Sequence, residues 1–339
     1  MVPAWAAPVS YAPVWPGVPL VFPRDFGAHP DFRTEWWYVT GWLKTAKGKP
    51  LGFQVTFFRT ATAHDRSDPS AFAPTQLVIA HAALSDPALG HLLHDQRSAR
   101  AVLGLAYARE GDTDVKLDNW TMRRRPDGNY AVRVQARDFH FDLTLTPTQP
   151  PLAQGEAGFS KKGPRPELAS YYYSEPHLRV SGQSTRGAVT GDAWLDHEWS
   201  TQYLDPQAQG WDWIGANLDD GSALMAFQIR DRQGGKLWAH ATLRDAAGKV
   251  TQFAPGQVHF EPLARWRSPR TQATYPVAMR LETGATSWRI APLQQDQELD
   301  SRLSTGAVYW EGAVTLERDG KPAGHGYLEL TGYVSPLKM

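Results

Sequence analysis

The chain has 339 residues, enough for two domains of ordinary size, and it carries 35 basic and 35 acidic side chains. This balance gives no net field that would attract nucleic acid or an anionic membrane, so a neutral or apolar small molecule is the expected partner. The absence of cysteine excludes disulfides, thiolate metal ligands and cysteine nucleophiles, and it suits an exported bacterial protein. No apolar run is long enough for a transmembrane segment, and the sequence leaves the oligomeric state open.

Residues 1–21 are predicted to form an extended, proline-rich lead-in. Ala4, Trp5 and Ala6 resemble a small-x-small cleavage box, but the basic region and apolar core of a signal peptide are missing. We interpret the stretch as the tail of a trimmed signal and expect a periplasmic or secreted protein. A disordered N-terminus without a targeting role is the alternative.

Apolar and polar residues alternate with a period of two along much of the chain, as expected for half-buried antiparallel strands. The clearest examples are residues 51–57, 139–145, 225–229 and 277–281. Hairpin signals lie between such segments, among them "TAKGK", "RPDGN", "DDG", "RQGGK", "DAAGK" and "RDGK". The pattern predicts an all-β sandwich or barrel fold. The best candidate for a helix is the stretch 89–106.

Two segments resemble each other and indicate an internal duplication. "EWWYVTGWLKTAKGKPLGFQVTFFR" begins at Glu35, and "GWDWIGANLDDGSALMAFQIR" begins at Gly210; each has tryptophans, a glycine, a turn and a Phe-Gln-aliphatic strand. The alignment equates Trp37 with Trp213 and residues 53–55 with 227–229. We therefore predict one barrel domain over residues 22–206 and a second over 207–339. Eight-stranded barrels of this kind can hold one small ligand.

The stretch "AWLDHEW", residues 193–199, contains the strongest candidates for chemistry. As a strand it would place Trp194, Asp196 and Glu198 on one face and His197 on the other. Two carboxylates so close in an apolar wall cannot both ionise cheaply, so one is expected to keep its proton and act as a general acid. The alternative is a structural bridge from Asp196 or Glu198 to an arginine such as Arg179 or Arg230.

Other kinds of site fit the sequence less well. A strand cannot direct three consecutive side chains of "DHE" at one ion, and the histidines are scattered singly, so no metal site is predicted. No Gly-x-Ser-x-Gly elbow or glycine-rich phosphate loop is present, and no cofactor is expected. Glu35, Glu311 and Glu329 also lie in aromatic strands, where each suits a buried structural acid; Asp212 occupies nearly the place of Glu35 in the second copy.

Several long motifs, in order, resemble the carotenoid 1,2-hydratase and AttH-like family of secreted hydrolases. They are "FPRDFGAHPDFRTEWWYVTGWL", "GFQVTFFR", "AWLDHEWSTQYL", "GWDWIGANLDDGSALMAFQIR" and "YWEGAVTLERDGKPAGHGYLELTGY", which together span nearly all of residues 22–333. The resemblance implies two lipocalin-like, calycin-type antiparallel β-barrels, in agreement with the alternation and the duplication.

The same resemblance implies hydration of a carbon–carbon double bond without a cofactor. An acid protonates the alkene, aromatic walls stabilise the carbocation, and water captures it. The key aspartate of those enzymes falls on Asp196, with Trp194 in place of a tyrosine, and their upstream His-x-Trp pair corresponds to Tyr171 and Tyr173. Other relatives of this plan resemble hydrolases or cyclases that act by shape.

We therefore expect a cofactor-free enzyme that acts on a hydrophobic polyene, terpenoid or lipid-like molecule, by hydration or hydrolysis. The alternatives are a non-catalytic lipocalin-type carrier and a shape-driven cyclase. Asp196 is the expected acid, Glu198 the group that raises its pKa, and Tyr173 the third catalytic candidate. The candidate binding residues are Glu35, Trp36, Trp37, Tyr38, Tyr171, Trp194, His197, Trp211 and Trp213.

Overall fold

The computed structural model describes residues 10–70 and 72–337, and β-strands dominate them. Within these residues the helical segments are two single 3-10 turns, Arg24–Phe26 and Pro255–Gln257. No described helix has the length and apolar character needed to span a bilayer. The predicted cleavage box at residues 4–6 lies outside the described part of the chain.

The first sheet has 13 antiparallel strands and forms a nearly closed barrel. Its central order is β4-β3-β2-β1-β13-β12-β9-β8-β7-β6-β5, with β10 and β11 paired to β12. The barrel is drawn together where Arg97 of β4 donates to Asp118 and Asn119, beyond β6. The strands are β1 Thr34–Thr45, β2 Pro50–Ala61, β3 Gln76–Ser85, β4 Leu92–Arg100, β5 Ala106–Ala108, β6 Asp114–Leu117, β7 Trp120–Arg124, β8 Tyr130–Gln135, β9 His140–Thr146, β10 Leu152–Ala153, β11 Phe159–Lys161, β12 Ala169–Ser184 and β13 Gly187–Ser200.

The second sheet has 10 antiparallel strands in the order β17-β16-β15-β14-β23-β22-β20-β19-β18, with β21 paired to β22. Its terminal strand β18 lies against β15 and β16, so this sheet also curls around its own core. The strands are β14 Ala208–Leu218, β15 Ala223–Asp231, β16 Lys236–Arg244, β17 Val250–Phe253, β18 Val258–Arg267, β19 Thr274–Thr283, β20 Thr286–Pro292, β21 Glu298–Ser301, β22 Ala307–Arg318 and β23 Lys321–Leu330. The all-β, lipocalin-like fold class is therefore confirmed.

The alternating segments named from the sequence lie in strands: 51–57 in β2, 139–145 in β9 except for Phe139 just before it, 225–229 in β15 and 277–281 in β19. The apolar side chains of β2 and β9 fill the core of the first barrel and those of β19 the core of the second, whereas Met225, Phe227 and Ile229 of β15 face an apolar cluster between the two sheets, because successive residues of a strand point to opposite faces. The hairpin signals also connect the strands as expected; "TAKGK", for example, joins β1 to β2.

The predicted helix at 89–106 is wrong. Residues 92–100 form strand β4, which pairs with β3 along its length from Leu77↔Arg100 to Ser85↔Leu92. The apolar residues near both ends of this stretch imitate a helical spacing, but the middle is "HDQRS", which a half-exposed strand at the side of the barrel tolerates. Pairing with β3 satisfies the backbone and overrides the weak local preference.

The two tryptophan-rich hairpins have different strand registers. Trp37 lies opposite Phe57 and Trp213 opposite Phe227, whereas Phe53 lies opposite Gly41. The sequence alignment of residues 53–55 with 227–229 therefore does not match the cross-strand positions. The internal duplication and the boundary at 206/207 stay predictions, although the sheets themselves end and begin at Ser200 and Ala208.

A third apolar cluster lies between the two sheets. The first sheet contributes Tyr38, Tyr172 and Trp194, and the second contributes Trp213 and Phe227 among others. Because both barrels use their inward faces for their own cores, this cluster belongs to the outward faces of β1, β12 and β13 packed on β14, β15, β22 and β23. The contact between the barrels is where the candidate site lies.

Candidate functional site

Strand β13 divides the candidate residues between its two faces, as its alternation requires. Trp194 and Asp196 face the interface between the barrels, while Leu195 and Trp199 belong to the core of the first barrel. His197 also points into the first barrel, where its ring stacks on Trp37 with centroids 4.5 Å apart. The DHE triplet is therefore split between two environments.

Asp196 is buried at the interface and accepts three hydrogen bonds. The Tyr172 hydroxyl donates to Oδ2 at 2.5 Å, and the Ser174 hydroxyl and Trp194 indole donate to Oδ1 at 2.5 and 2.6 Å. Burial raises the pKa of Asp196 to about 7, although these three donors each favour the ionised form. A carboxyl group poised near neutrality in a protein interior is suited to proton transfer.

Glu198 is held differently from the expectation. It accepts from the Ser170 hydroxyl at 2.5 Å and pairs with the buried Lys162 ammonium at 2.8 Å. Its charge is the smallest of the contributions to the raised pKa of Asp196, behind burial. The alternative of a structural ion pair is thus realised for Glu198, but with Lys162 rather than Arg179 or Arg230.

Aromatic side chains surround the Asp196 carboxyl. The Trp213 indole donates to the Tyr172 hydroxyl at 3.2 Å, which extends the hydrogen-bond chain into the second sheet. The Tyr38 and Trp213 rings meet edge to face at 5.3 Å. Lys162 lies 4.7 Å from the centre of the Tyr172 ring. The site is therefore built from both sheets.

The structure brings Tyr172 to Asp196 and places Tyr173 elsewhere. Tyr171 and Tyr173 point into the first barrel, where the Tyr171 hydroxyl contacts the backbone of Trp15 and the Tyr173 hydroxyl lies 3.1 Å from His197 Nδ1. The middle tyrosine of "YYY" alone faces the interface, because neighbouring residues of β12 alternate. The catalytic assignment of Tyr173 and the binding assignment of Tyr171 consequently lose their geometric basis.

Glu35, Trp37 and His197 lie in a closed network inside the first barrel. Glu35 Oε1 contacts His29 Nδ1 at 2.7 Å and His197 Nε2 at 2.8 Å, and Oε2 accepts from Arg59 at 2.8 Å. Burial opposes ionisation of Glu35, but the charges and hydrogen bonds of these partners outweigh it and hold its pKa well below the usual range. A buried carboxylate whose two oxygens are both occupied by such partners is typical of a structural ion cluster.

His29, Glu35 and His197 are also the group of described residues whose ligand atoms lie close enough to hold a metal ion, all within 4.8 Å of one another. The donor set suits zinc. However, the ring nitrogens of His29 already contact Glu35 and Asp25, and the Arg59 guanidinium occupies the other oxygen of Glu35. A cation would have to displace these contacts beside a fixed positive charge, so the residues do not fit a metal well.

Trp36 and Trp211 lie at the half-buried rim of the interface. Trp36 packs on Tyr203 with ring centroids 5.3 Å apart, and the Trp211 indole donates to Glu329 Oε2 at 2.9 Å.

Glu329 lies directly opposite Glu311 on β22. Burial raises the pKa of Glu329 to about 7, and burial and the charge of Glu329 raise that of Glu311 further. The two glutamates therefore titrate as an interacting pair whose pKa values both lie above the usual range.

A groove of about 320 Å³ opens between the barrels beside this site. Trp42, Trp194 and Tyr327 contribute its apolar and aromatic lining, and His177, Asp192 and His325 its polar lining. Trp194 separates the groove from Asp196, since its indole lines the groove and also donates to the carboxyl. The groove therefore ends at the tryptophan rather than at the acid.

Sequence reasoning missed Tyr172, Ser174 and Lys162. The alternation of β12 could have identified Tyr172 and Ser174, because a strand paired with β13 places them beside Asp196. Lys162 lies just after the short strand β11, in a segment without hydrophobic periodicity. Its contact with Glu198 depends on tertiary packing, which the local sequence does not indicate. For Glu311 and Glu329 the sequence predicts only the role of structural acids.

The fold and the site define a protein of two lipocalin-like barrels with buried carboxyl groups at the interface between them. Known proteins share this architecture. The AttH-like family matches residues 13–333, and the chain belongs to that family. A protein assigned as an AttH from Nitrosomonas europaea is 65% identical, with a TM-score of 0.90 over 95% of this chain and 100% of that one. The predicted resemblance to the AttH-like family is thus confirmed. No curated protein matches the chain.

Two further solved structures share the fold at low identity. Kievitone hydratase from Nectria haematococca is 15% identical, with a TM-score of 0.70 over 97% of this chain and 98% of that one. CghA with Sch210972 is 13% identical, with a TM-score of 0.50 over 90% of this chain and 89% of that one. At these identities the likeness establishes the fold alone.

Replacing Gly215 by alanine is expected to disturb the aromatic walls. A Cβ at Gly215 would lie 2.6 Å from the Trp213 ring and 3.0 Å from the Trp194 ring, so both indoles would have to shift. Overpacking of this kind costs about 1–3 kcal/mol of unfolding free energy, measurable by urea unfolding. Gly256→Ala, which meets no atom within 4 Å, should stay within about 0.5 kcal/mol. Equal stability of both variants would contradict the tight packing.

The raised pKa values of Asp196 and Glu329 predict a contribution to stability that falls as the pH rises. Asp196 and Glu329 hold protons up to about pH 7 when folded but lose them near pH 4 when unfolded. Their stabilising contribution is therefore complete below about pH 4 and is lost as the pH passes through about 7. Urea unfolding of the wild type and of Asp196→Asn between these pH values isolates the contribution of Asp196, which should decline by a few kcal/mol, from roughly 1.4 kcal/mol per pKa unit.

The matched variants for this titration are Asp196→Asn and Asp142→Asn. The first should reduce the decline, because one titrating group is removed, whereas the second changes an exposed carboxylate of β9 and should leave the decline unchanged. A difference in unfolding free energy between the wild type and Asp196→Asn that stays constant from pH 4 to 8 would show that Asp196 is ionised when folded.

Proposed function

We propose that the chain is an enzyme that adds water to, or hydrolyses, a hydrophobic small molecule at the interface between the barrels, with Asp196 as general acid. The observation that carries the proposal is the environment of Asp196. Its carboxyl is buried among indole and phenol rings, has no cationic partner in the described part of the chain, and has its pKa raised to about 7. Family membership and the fold shared with kievitone hydratase support a hydratase-like activity.

The hydration step follows from these contacts. The protonated Asp196 gives its proton to one carbon of a double bond, which leaves a carbocation on the other. The faces of Trp194 and Trp213 stabilise that positive charge. A water oxygen then forms the new carbon–oxygen bond, and the proton lost from this water returns to Asp196. Alkene and water are consumed, alcohol is formed, and the enzyme is regenerated without a cofactor.

Three hydrogen-bond donors are placed to stabilise Asp196 in the ionised form that it has after it gives up its proton. After proton transfer the carboxylate is stabilised by the Tyr172 and Ser174 hydroxyls and the Trp194 indole, which already point at it. Preorganised donors of this kind lower the barrier because they need no reorientation during the reaction. Glu198 keeps its own charge neutralised by Lys162, so that it adds little repulsion.

A non-catalytic carrier is the second candidate, favoured by one observation. The lining of the groove includes Trp194 but not Asp196, and the carboxyl is already saturated with hydrogen bonds. In a carrier the same acid would only cross-link β12 and β13, and the groove would hold the ligand unchanged. The enzyme proposal instead requires the Trp194 ring to give the ligand access to Asp196 while its indole N–H stays on the carboxyl.

Mass spectrometry of any apolar compound extracted from the purified protein separates the two candidates. The protein is incubated with that compound in water enriched in ¹⁸O, and kievitone is assayed in parallel. The enzyme proposal predicts a product that differs by one water and contains ¹⁸O. Recovery of the bound compound without chemical change or label would favour the carrier.

Export is part of the proposal and is supported only by the lack of cysteine, which suits an oxidising compartment without requiring it. Fractionation of the producing cells, followed by detection of the native protein, provides the test. The periplasm or the medium is the expected location, and exclusive recovery with the cytoplasm would contradict export.

A further inference from the structure

Four buried polar groups at the interface lack hydrogen-bond partners, and the proposed reaction uses none of them. They are the Tyr38 hydroxyl, Gln54 Oε1, Glu311 Oε1 and the Tyr327 hydroxyl, and each residue is at least nine-tenths buried. An unpaired polar group in a protein interior costs about 1–3 kcal/mol, so native proteins leave few of them. Several at one place indicate that something with hydrogen-bonding capacity belongs there.

The four groups, which we call the polar cluster, lie on facing surfaces of the two sheets. In the first sheet, Tyr38 of β1 and Gln54 of β2 are near neighbours on one face, because Gln54 pairs with Thr40, two residues from Tyr38. In the second sheet, Glu311 and Tyr327 lie on the paired strands β22 and β23. The cluster therefore spans the interface.

Contacts across the interface bring these surfaces together. Burial and, after it, the charge of Glu311 raise the pKa of Tyr38, so the two groups lie near each other, although the Tyr38 hydroxyl and Glu311 Oε1 complete no hydrogen bond of good geometry. The Ser85 side chain likewise lies near the Tyr327 hydroxyl without such a bond. The Tyr327 hydroxyl approaches the backbone of Gly52 on β2, where an added Cβ would lie 2.8 Å from it. The absence of a side chain at Gly52 leaves room for this hydroxyl beside β2.

The polar cluster adjoins the groove. Tyr327 and Thr40, the strand partner of Gln54, both line the groove together with Trp42 and Trp194. A ligand whose ring lies against these indoles would therefore have its end near Tyr327, whose strand partner Ala313 is two residues from Glu311. An entirely apolar ligand would leave all four polar groups unpaired, whereas a hydroxyl group both donates and accepts.

We infer that the polar cluster binds a hydroxyl group of the ligand, so that the substrate class is a hydroxyl-bearing aromatic molecule of the phenol type rather than a pure hydrocarbon. The ligand hydroxyl donates to Glu311 Oε1 or Gln54 Oε1 and accepts from the Tyr38 or Tyr327 hydroxyl. This inference rests on the proposed interface site, and it does not depend on the role of Asp196 as an acid. It replaces the expected hydrophobic polyene by an amphipathic compound.

The test compares the binding of phenol and of toluene, two probes of nearly equal size, by isothermal titration calorimetry on the full chain. Phenol is expected to bind at least about tenfold more tightly, which is about 1.4 kcal/mol. The double variant Tyr38→Phe/Tyr327→Phe should remove most of this preference. Tyr275→Phe is the matched control, because it removes another unpartnered buried hydroxyl, in the core of the second barrel; it should keep the preference.

Several outcomes would overturn the inference: equal or tighter binding of toluene, no binding of either probe, or an unchanged preference in the double variant. Should the double variant fail to fold by circular dichroism, Glu311→Gln and Tyr38→Phe singly provide the same comparison. Asp196→Asn separates this inference from the proposed function. If Asp196→Asn loses turnover but the wild type shows no preference for phenol, only the inference about the polar cluster is wrong. If the wild type prefers phenol but Asp196→Asn keeps its turnover, only the role of Asp196 as an acid is wrong.

Discussion

Asp196→Asn is expected to remove at least about 99% of turnover while the protein stays folded, because a general acid contributes about 10²–10⁴-fold. Asparagine keeps the shape of the side chain but cannot deliver a proton to carbon. The wild-type protein and the variant are expressed in the same host. The bound compounds are extracted, and their molecular masses are determined by mass spectrometry. The variant should retain the substrate, and the wild type the form that differs by one water.

The control for this comparison is Asp142→Asn, which changes an exposed aspartate of β9 in an ion pair with Arg133. It should process the bound compound like the wild type. An Asp196→Asn protein that yields the same ratio of compounds as the wild type would remove Asp196 from the mechanism. The carboxyl would then be a structural cross-link between β12 and β13.

Glu35→Gln is expected to lower the free energy of unfolding by about 3–5 kcal/mol, the usual cost of removing one partner of a buried ion pair. Arg59 would keep its charge while only 1% exposed, and the contacts of His29 and His197 would lose their ionised acceptor. Urea unfolding at pH 7 measures the loss. A large loss of stability in Glu35→Gln would show that the ion network inside the first barrel is structural, in contrast to Asp196 at the interface.

Glu261→Gln serves as the matched control, since Glu261 pairs with Arg280 on the exposed side of β18. An exposed pair contributes at most about 1 kcal/mol, so this variant should be nearly as stable as the wild type. A Glu35→Gln protein of wild-type stability that has lost turnover would assign Glu35 to the chemistry and not to the scaffold.

The fold was largely predictable because it depends on short-range periodicity. Alternation and hairpin signals identify strands such as β2, β9 and β15 directly, since one face of each strand is apolar. Strand β4 was not predictable from its own residues. Its polar middle has no strand pattern, and only pairing with β3 determines its conformation.

The site was predictable as far as the alternation of one strand reaches. The two faces of β13 follow from residues 194–199 alone, which separates Asp196 from His197. The partners of Asp196 depend on which tyrosine of β12 faces the same side, and the family resemblance pointed to Tyr171 and Tyr173 instead of Tyr172. The second sheet's contributions, Trp213 and Glu329, depend on how the barrels pack together, which no local pattern specifies.

The protonation state of Asp196 is the most direct test of the account, because an ionised carboxylate cannot supply the proton. Infrared difference spectra of wild type minus Asp196→Asn, recorded from pH 5 to 9, isolate the carboxyl stretch of this one group. We predict a protonated band that is present at pH 6 and disappears with a midpoint near pH 7. A difference spectrum that shows only ionised carboxylate down to pH 5 would contradict the assignment of Asp196 as the general acid.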